Sequence, residues 1–423
     1  MDKKLEVPRV ALDSLGCKLN QAEIELLARQ LAEAGYKLVA PSDKADIYIL
    51  NTCTVTHIAD RKSRHILRLA RRRNPGARLV AMGCYAERAP HELEQIEGID
   101  LVLGNTRKSH ILQLLGESGS LSRTVGRDLM DWHYNGCRTR AFIKVQDGCR
   151  NSCAYCIVPI VRSLEASVPA DRVIAEIRNR ESAGYKEIVL TGTEIGTYNS
   201  DGLNLRGLLE HILGETAISR LRLSSLQPPE ISSGFISLWC DGRLCPHFHL
   251  SLQSGSEGVL RRMKRRCKIA DFQQAVSLIR QVVPEVAVTT DVIVGFPGET
   301  EEEFQESLSF CRQMQFARIH VFPYSPRPGT EAVLMPQVVS ARVKKQRSRE
   351  MLSLAEDSMR SFHQQFLGGT MEVLWEQQAG GIWSGLTGNY IKVYTGSTDD
   401  LSNKLLPVEL EKIYRDGVWG EIL

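Results

Sequence analysis

With 423 residues, 43% of them hydrophobic, and a net charge of +3, the chain is long enough for two or three domains, and its charge total says little about partners. No window approaches the ~18 apolar residues of a membrane span, and the opening "MDKKLEVPRVALDSLG" lacks the apolar core of an export signal. Its eleven cysteines therefore imply a reducing cytoplasm, with metal binding or catalysis rather than disulfides.

The N-terminal third alternates strand and helix. "RVALDSLG" reads as a strand. "QAEIELLARQLAEAG" places Ile24, Leu27, Ala28, Leu31 and Ala34 at helical spacing, and Gly35 stops it. "DIYILN" and, after a basic helix, "ARLVAMG" are further strands. Such alternation implies an open parallel sheet with helices on its faces. Cys17, Cys53 and Cys84 each fall just past a strand's carboxyl end, where open α/β sheets build ligand sites. Free cysteines are often just buried small hydrophobes. Three placed alike on one rim point instead to a cluster with three protein thiolates and one open iron.

Next comes "DGCRNSCAYCIVP", with Cys149, Cys153 and Cys156 inside eight positions and Pro159 after them. A structural zinc wants four closed ligands, but no fourth thiolate stands here, and His133 is not at ligand spacing. An iron–sulfur cube has four irons, so three cysteines leave one open to something that is not protein.

From Ala141 to about Ser325 six strands are expected: "AFIKVQ", "EIVLTG", "RLRLSSL", "HFHLSLQS", "AVTTDVIVG" and "RIHVFPYS". Six parallel strands make an open (β/α)6 half-barrel, with chemistry at the strand C-termini. The candidates there are Tyr155, Gly192, Glu194, Ser251, Gln253, Asp291 and Gly295. Ser251 and Gln253 are expected to face one way along their strand, and Gly295 to let backbone approach a flat ligand such as adenine. A helix ending at Gly368–Gly369 is followed by short strands of a small β-barrel carrying four basic and eight acidic residues from Phe366 on. Basic residues concentrate elsewhere: Arg71, Arg72 and Arg73, the run holding Arg265 and Arg266, and the run holding Lys344 and Lys345. Segregated charge of this kind is the footprint of phosphate contact.

The order of these motifs, with "LQSGS", "DVIVGFPGET" and "VFPYSPRPGT", resembles the radical S-adenosylmethionine methylthiotransferases over essentially the whole chain. The resemblance implies an N-terminal cluster domain (1–135), a radical half-barrel (136–365) and a TRAM β-barrel (366–423). It implies two [4Fe–4S] clusters and S-adenosylmethionine: Cys149, Cys153 and Cys156 would hold the cluster that generates a 5′-deoxyadenosyl radical, and Cys17, Cys53 and Cys84 the one that supplies sulfur. The implied partners are the tRNA anticodon loop and an electron donor such as flavodoxin or ferredoxin, with no membrane and no DNA. "TGTEIGTY" is most similar to the branch that methylthiolates threonylcarbamoyladenosine at tRNA position 37. The other branches act on isopentenyladenosine in tRNA or on an aspartate of a small-subunit ribosomal protein, and the acidic tail keeps the last in view. A carboxylate-bearing base calls for a cation, and Arg162 and Arg327 are the candidates. One departure stands out: "IVRSLEASVP" keeps Arg162 but has Ser163, Ala166 and Val168 where the family has glycine and two arginines.

Overall fold

The computed structural model describes residues 7–116 and 139–423. The expected domain boundary at 135/136 and His133 lie outside them. Among the described residues no helix is long and apolar enough to cross a membrane.

The N-terminal unit is a five-stranded parallel sheet: β1 (Arg9–Ser14), β2 (Lys37–Val39), β3 (Ile47–Thr52), β4 (Arg78–Gly83) and β5 (Leu101–Leu103), in the order β2-β1-β3-β4-β5. β3 is buried throughout, as an inner parallel strand covered on both faces must be. Three helices follow strand ends: α1 (Lys18–Glu33) after β1, α2 (His57–Arg73) after β3 and α3 (Cys84–Arg88) after β4. Thr56 caps α2 by accepting from the Ala59 N–H at 3.2 Å, one of the orphan donors of a helix start.

The central unit is the six-stranded half-barrel: β6 (Arg140–Lys144), β7 (Glu187–Thr191), β8 (Arg220–Leu223) continuing past Ser224 as β9 (Ser225–Leu226), β10 (His247–Leu250), β11 (Ala287–Val294) and β12 (Arg318–Pro323). All neighbouring pairs are parallel. The break at Ser224 divides it into sheets of three and four strands. Helix α1 lies across its open side, where Ala22 packs on Phe142 and Val189. This second contact explains why α1 also buries Asn20, Glu23 and Glu25, which helical periodicity assigns to solvent.

A long helix, α4 (Ala341–Gln364), crosses β12 and leads to a closed barrel of five strands, β13 (Thr370–Ala379), β14 (Ile382–Thr387), β15 (Lys392–Gly396), β16 (Leu405–Tyr414) and β17 (Gly417–Ile422). The stretch "GLTGNYIKVYTG" spans two strands, turning between Thr387 and Lys392. The barrel docks on the amino-terminal ends of the half-barrel strands. Arg140 pairs with Glu376 at 2.6 Å, Arg220 donates to the Glu372 carbonyl at 2.7 Å, and buried Arg222 spans Glu187 at 2.7 Å and the Gly388 carbonyl at 2.8 Å. The acidic barrel thus sits at the end opposite the cysteine loop.

Candidate active site

Cys149, Cys153 and Cys156 lie on the loop leaving β6, before a short helix at Val158–Val161. The loop is pinned at its middle. The Ala154 N–H donates to the Met263 carbonyl at 3.0 Å, and the Ala154 carbonyl accepts from Ala332 at 2.7 Å. Glu194 holds its start, accepting from Asn151 Nδ2 at 2.6 Å and from Cys149 Sγ at 3.1 Å. Burial, then the Glu194 contact, pushes the Cys149 thiol up to about 12, and burial takes Cys156 to about 11. Iron binds thiolate, so loading this loop displaces those protons.

The second trio comes from three strand ends. Cys17 is the residue before α1, Cys53 follows β3, and Cys84 opens α3. Gly16, at φ +108°, makes the approach possible, because a Cβ there would lie 2.7 Å from Cys53 Sγ. Burial pushes the Cys53 thiol up to about 12, and the neighbouring Cys17 and Cys84 add to it.

One guanidinium joins the two trios. Arg162 donates from Nε to Cys84 Sγ at 3.4 Å, and from its other nitrogens to Glu23 at 3.0 Å, Asp147 at 2.7 Å and Asn20 Oδ1 at 2.9 Å. Asn20 also lies 3.8 Å from Cys17 Sγ, and Asn105 donates to Cys84 Sγ at 3.5 Å. Glu23 is further held by Lys108 at 2.5 Å and Lys144 at 3.2 Å. Burial alone would raise Glu23, but Lys108 and Arg162 beside it hold it well below the usual carboxylate range. The sequence marks none of these acids and amides, because each sits on an ordinary helix or loop and gains its meaning from the packing of α1 on the half-barrel.

The donor sets fit iron–sulfur cubes better than single ions. A tetrahedral zinc with 2.3 Å bonds sets its sulfurs about 3.8 Å apart. Neither cysteine trio brings its three sulfurs within 4.8 Å of one another. N–H donors aimed at the sulfurs are what tune cluster thiolates.

Between the trios lies a cavity of about 210 Å³, walled by Val55 and Thr56 just after Cys53 on one side and by Tyr155 and Cys156 on the other. Gln253 and Asp291 also line it. Gln253 is not on a regular strand with Ser251. β10 ends at Leu250, and Gln253 has φ +74° with only a bridge to Val292. Ser251 offers its carbonyl to Arg265 instead. Gly192 packs on Gln146, whose Oε1 accepts from the Glu194 N–H at 2.8 Å. Gly295, at φ +72°, faces the stem of Lys344, whose Cγ would lie 2.2 Å from an added Cβ. That close approach serves α4, not a flat ligand.

Several basic residues have different places from those expected. Arg162 and Arg327 are buried and ion-paired, Arg327 with Asp60 while donating to Thr54 at 2.9 Å. Neither offers a free cation to a substrate. Arg71 donates to the Pro75 and Ala77 carbonyls at 2.7 and 2.9 Å and pairs with Asp100 at 3.0 Å, so it ties its own loop. Arg265 belongs to the cysteine loop, donating to the Ser251 carbonyl at 2.7 Å and lying 3.8 Å from Cys153 Sγ. Lys344 covers Gly295, whereas Arg72, Arg73, Arg266 and Lys345 are exposed. Val168, where the resemblance leads to an arginine being expected, packs on the half-barrel core.

Two family models match the chain: Uncharacterized protein family UPF0004 over residues 9–104 and the Radical SAM superfamily over residues 143–311. The threonylcarbamoyladenosine tRNA methylthiotransferase MtaB of Bacillus subtilis is 36% identical, covering 98% of this chain and 97% of its own. The MtaB of Aquifex aeolicus is 37% identical over 86% of this chain and 92% of its own. The tRNA-2-methylthio-N(6)-dimethylallyladenosine synthase of Syntrophotalea carbinolica is 32% identical over 97% and 98%. Among solved structures, the radical S-adenosylmethionine methyltransferase TsrM of Kitasatospora setae shares the fold, with a TM-score of 0.58, 14% identity, and coverage of 89% of this chain and 80% of its own.

Proposed function

The chain belongs to the radical S-adenosylmethionine methylthiotransferases that act on tRNA, and from that premise we propose that it places a methylthio group on C2 of N6-threonylcarbamoyladenosine at position 37. The observation that carries this reading is the cavity between the two cysteine trios, which lets one base face both. Its choice of base rests on the names of the relatives at 36 and 37% identity, against 32% for the dimethylallyl enzyme.

When bound, the cluster on Cys149, Cys153 and Cys156 with S-adenosylmethionine supplies the radical that attacks an aromatic C–H, and the cluster on Cys17, Cys53 and Cys84 supplies sulfur. Glu194 and Arg265 fix the first loop, and Arg162 fixes the second site against it. Gln253 and Asp291 position what enters the cavity. The base leaves the anticodon stack to reach it, and Arg72, Arg73, Arg266 and Lys345 meet the phosphates. With Arg162 and Arg327 paired internally, the threonyl carboxylate meets polar groups at the cavity edge, Thr56 and Ser325, with His57 beside them. His57 Nδ1 lies 3.1 Å from Ser325 Oγ. A one-electron carrier such as flavodoxin or ferredoxin serves as donor. The acidic barrel lies away from this mouth, and the relatives' names, which are those of tRNA enzymes, favour tRNA over a basic ribosomal protein.

The test is nucleoside mass spectrometry of two tRNAs incubated with the iron-loaded enzyme, one bearing threonylcarbamoyladenosine and one isopentenyladenosine. Methylthiolation of the first alone supports the assignment. Equal turnover of both, or of the second alone, refutes it.

A further inference from the structure

The lumen of the half-barrel contains a second set of ligand-type side chains that neither cysteine site uses. His249 on β10, Asp291 on β11 and His320 on β12 stand on three adjacent parallel strands. Asp291 is in register with His320, and His249 with Thr289, two residues before Asp291 on the same face. One ligand atom from each residue lies within 4.8 Å of the other two, and His249 Nε2 is 3.3 Å from Asp291 Oδ2. Around one ion with bonds of 2.0–2.2 Å, donors lie about 3–3.5 Å apart. One edge is therefore already at ligand spacing, and closing the third corner needs a shift on the order of 1 Å.

The surroundings fit that use. His249 Nδ1 lies 2.9 Å from Thr289 Oγ1, an arrangement in which the other ring nitrogen is held so that Nε2 can bind a metal. Towards the C-terminal barrel the set opens on a cavity of about 330 Å³ that His249 and His320 line, with room for water in the remaining positions. The nearby cation Lys18 points its ammonium at the Tyr390 ring, 5.8 Å from the centroid.

We propose that His249, Asp291 and His320 bind one first-row divalent cation in the half-barrel lumen, beneath the catalytic cavity that Asp291 also lines. Two imidazoles and a carboxylate with open positions suit ions of the Mn²⁺–Zn²⁺ series, and three rigid strands hold them in place.

The experiment uses the full chain with both cysteine trios loaded with iron and sulfide and with S-adenosylmethionine present, titrated anaerobically with Mn²⁺. Free ion is followed by EPR, and bound ion by its hyperfine coupling to nitrogen. The expected result is one Mn²⁺ per chain coupled to two imidazole nitrogens. His249→Gln and His320→Gln should each weaken binding at least about tenfold, and Thr289→Val, which touches no metal, by about tenfold. Unchanged iron content certifies the fold of each variant. No bound Mn²⁺, binding without nitrogen coupling, or binding retained when both histidines are glutamine would overturn the proposal. Should the variants lose iron, the nitrogen coupling of the unaltered protein decides alone.

Discussion

The two cysteine sites differ in how they are made. The trio at Cys149, Cys153 and Cys156 is one loop, held by a few contacts from neighbouring loops, such as those of Glu194 and Arg265. The trio at Cys17, Cys53 and Cys84 is assembled from three strand ends and backed by a buried charge network reaching across two domains through Arg162. A loop can be built locally, but a convergent site needs its whole sheet formed first. The second site should therefore be the more sensitive to damage at a distance, and the first to damage in its own cysteines.

The largest effect separates the two directly. Changing Cys149, Cys153 and Cys156 together to Ala should abolish reductive cleavage of S-adenosylmethionine. Changing Cys17, Cys53 and Cys84 should leave cleavage intact while methylthio transfer disappears. Each triple variant should lose roughly half the iron, the share expected where each trio holds one of two cubes. Full iron in the second variant would dissolve the comparison, because the convergent trio would then not be a cluster site.

Arg162 tests the distance effect. Arg162→Gln removes the guanidinium that Glu23 and Asp147 share but leaves them Lys108 and Lys144, so the loss should fall short of the about 3–5 kcal/mol of a buried pair broken from one side. Denaturant unfolding of the iron-free protein should register that loss. In the loaded protein, the EPR signal of the N-terminal cluster should shift while that of the Cys149 loop stays in place. Arg162→Lys keeps the charge but not the fork to Cys84 and Asn20, so it should recover only part of the stability. A variant as stable as the parent would mean the network is incidental.

How much of this was legible in sequence follows the same division. The contiguous loop announces itself by spacing, and the convergent trio only by the rule that strand ends carry ligands. The six half-barrel strands were readable because each is a short apolar run with turn chemistry after it. What could not be read is polar burial. Glu23 and Asn20 look like the wet face of α1 until the half-barrel packs on it. Arg162 and Arg327 look like free cations until Glu23, Asp147 and Asp60 are seen beside them. A charge pattern records residue type, whereas pairing is decided by residues far off in the chain. The lumen histidines were missed for that reason too: each stands singly on its own strand.

The surface gives a smaller and graded effect. Arg72→Gln with Arg73→Gln should flatten log tRNA affinity against log salt by roughly 0.7–0.9 for each phosphate no longer neutralised. Arg71→Gln, one residue away, should leave the slope alone and lower stability, because its guanidinium serves the Pro75 and Ala77 carbonyls and Asp100. Filter binding at several salt concentrations reads both. Equal slopes for the double variant, Arg71→Gln and the parent would place this helix end outside the RNA interface.

The smallest effect is a pH slope, and it sets one buried carboxylate at each site against the other. Glu230 stands beside Glu194, which holds the start of the Cys149 loop. Burial lifts it to about 7, with Glu194 adding to the rise and the Gln227 N–H offsetting part of it. Its folded value lies above the ordinary carboxylate range near 4.3, so between those values the folded protein holds a proton the unfolded chain has lost. Stability from Glu230 is thus full at low pH and drains away as pH climbs towards 7. Glu23, held low by Lys108 and Arg162, has the opposite sign: its contribution is present above the unfolded carboxylate value and lost as pH falls through the folded one. Urea unfolding of the iron-free protein from pH 5 to 8 should therefore show a declining limb below pH 7 that Glu230→Gln removes. Glu23→Gln should lower the whole curve and leave that limb in place. A decline that survives Glu230→Gln would assign the titration elsewhere, and the two sites would then not be distinguished by the sign of their buried acids.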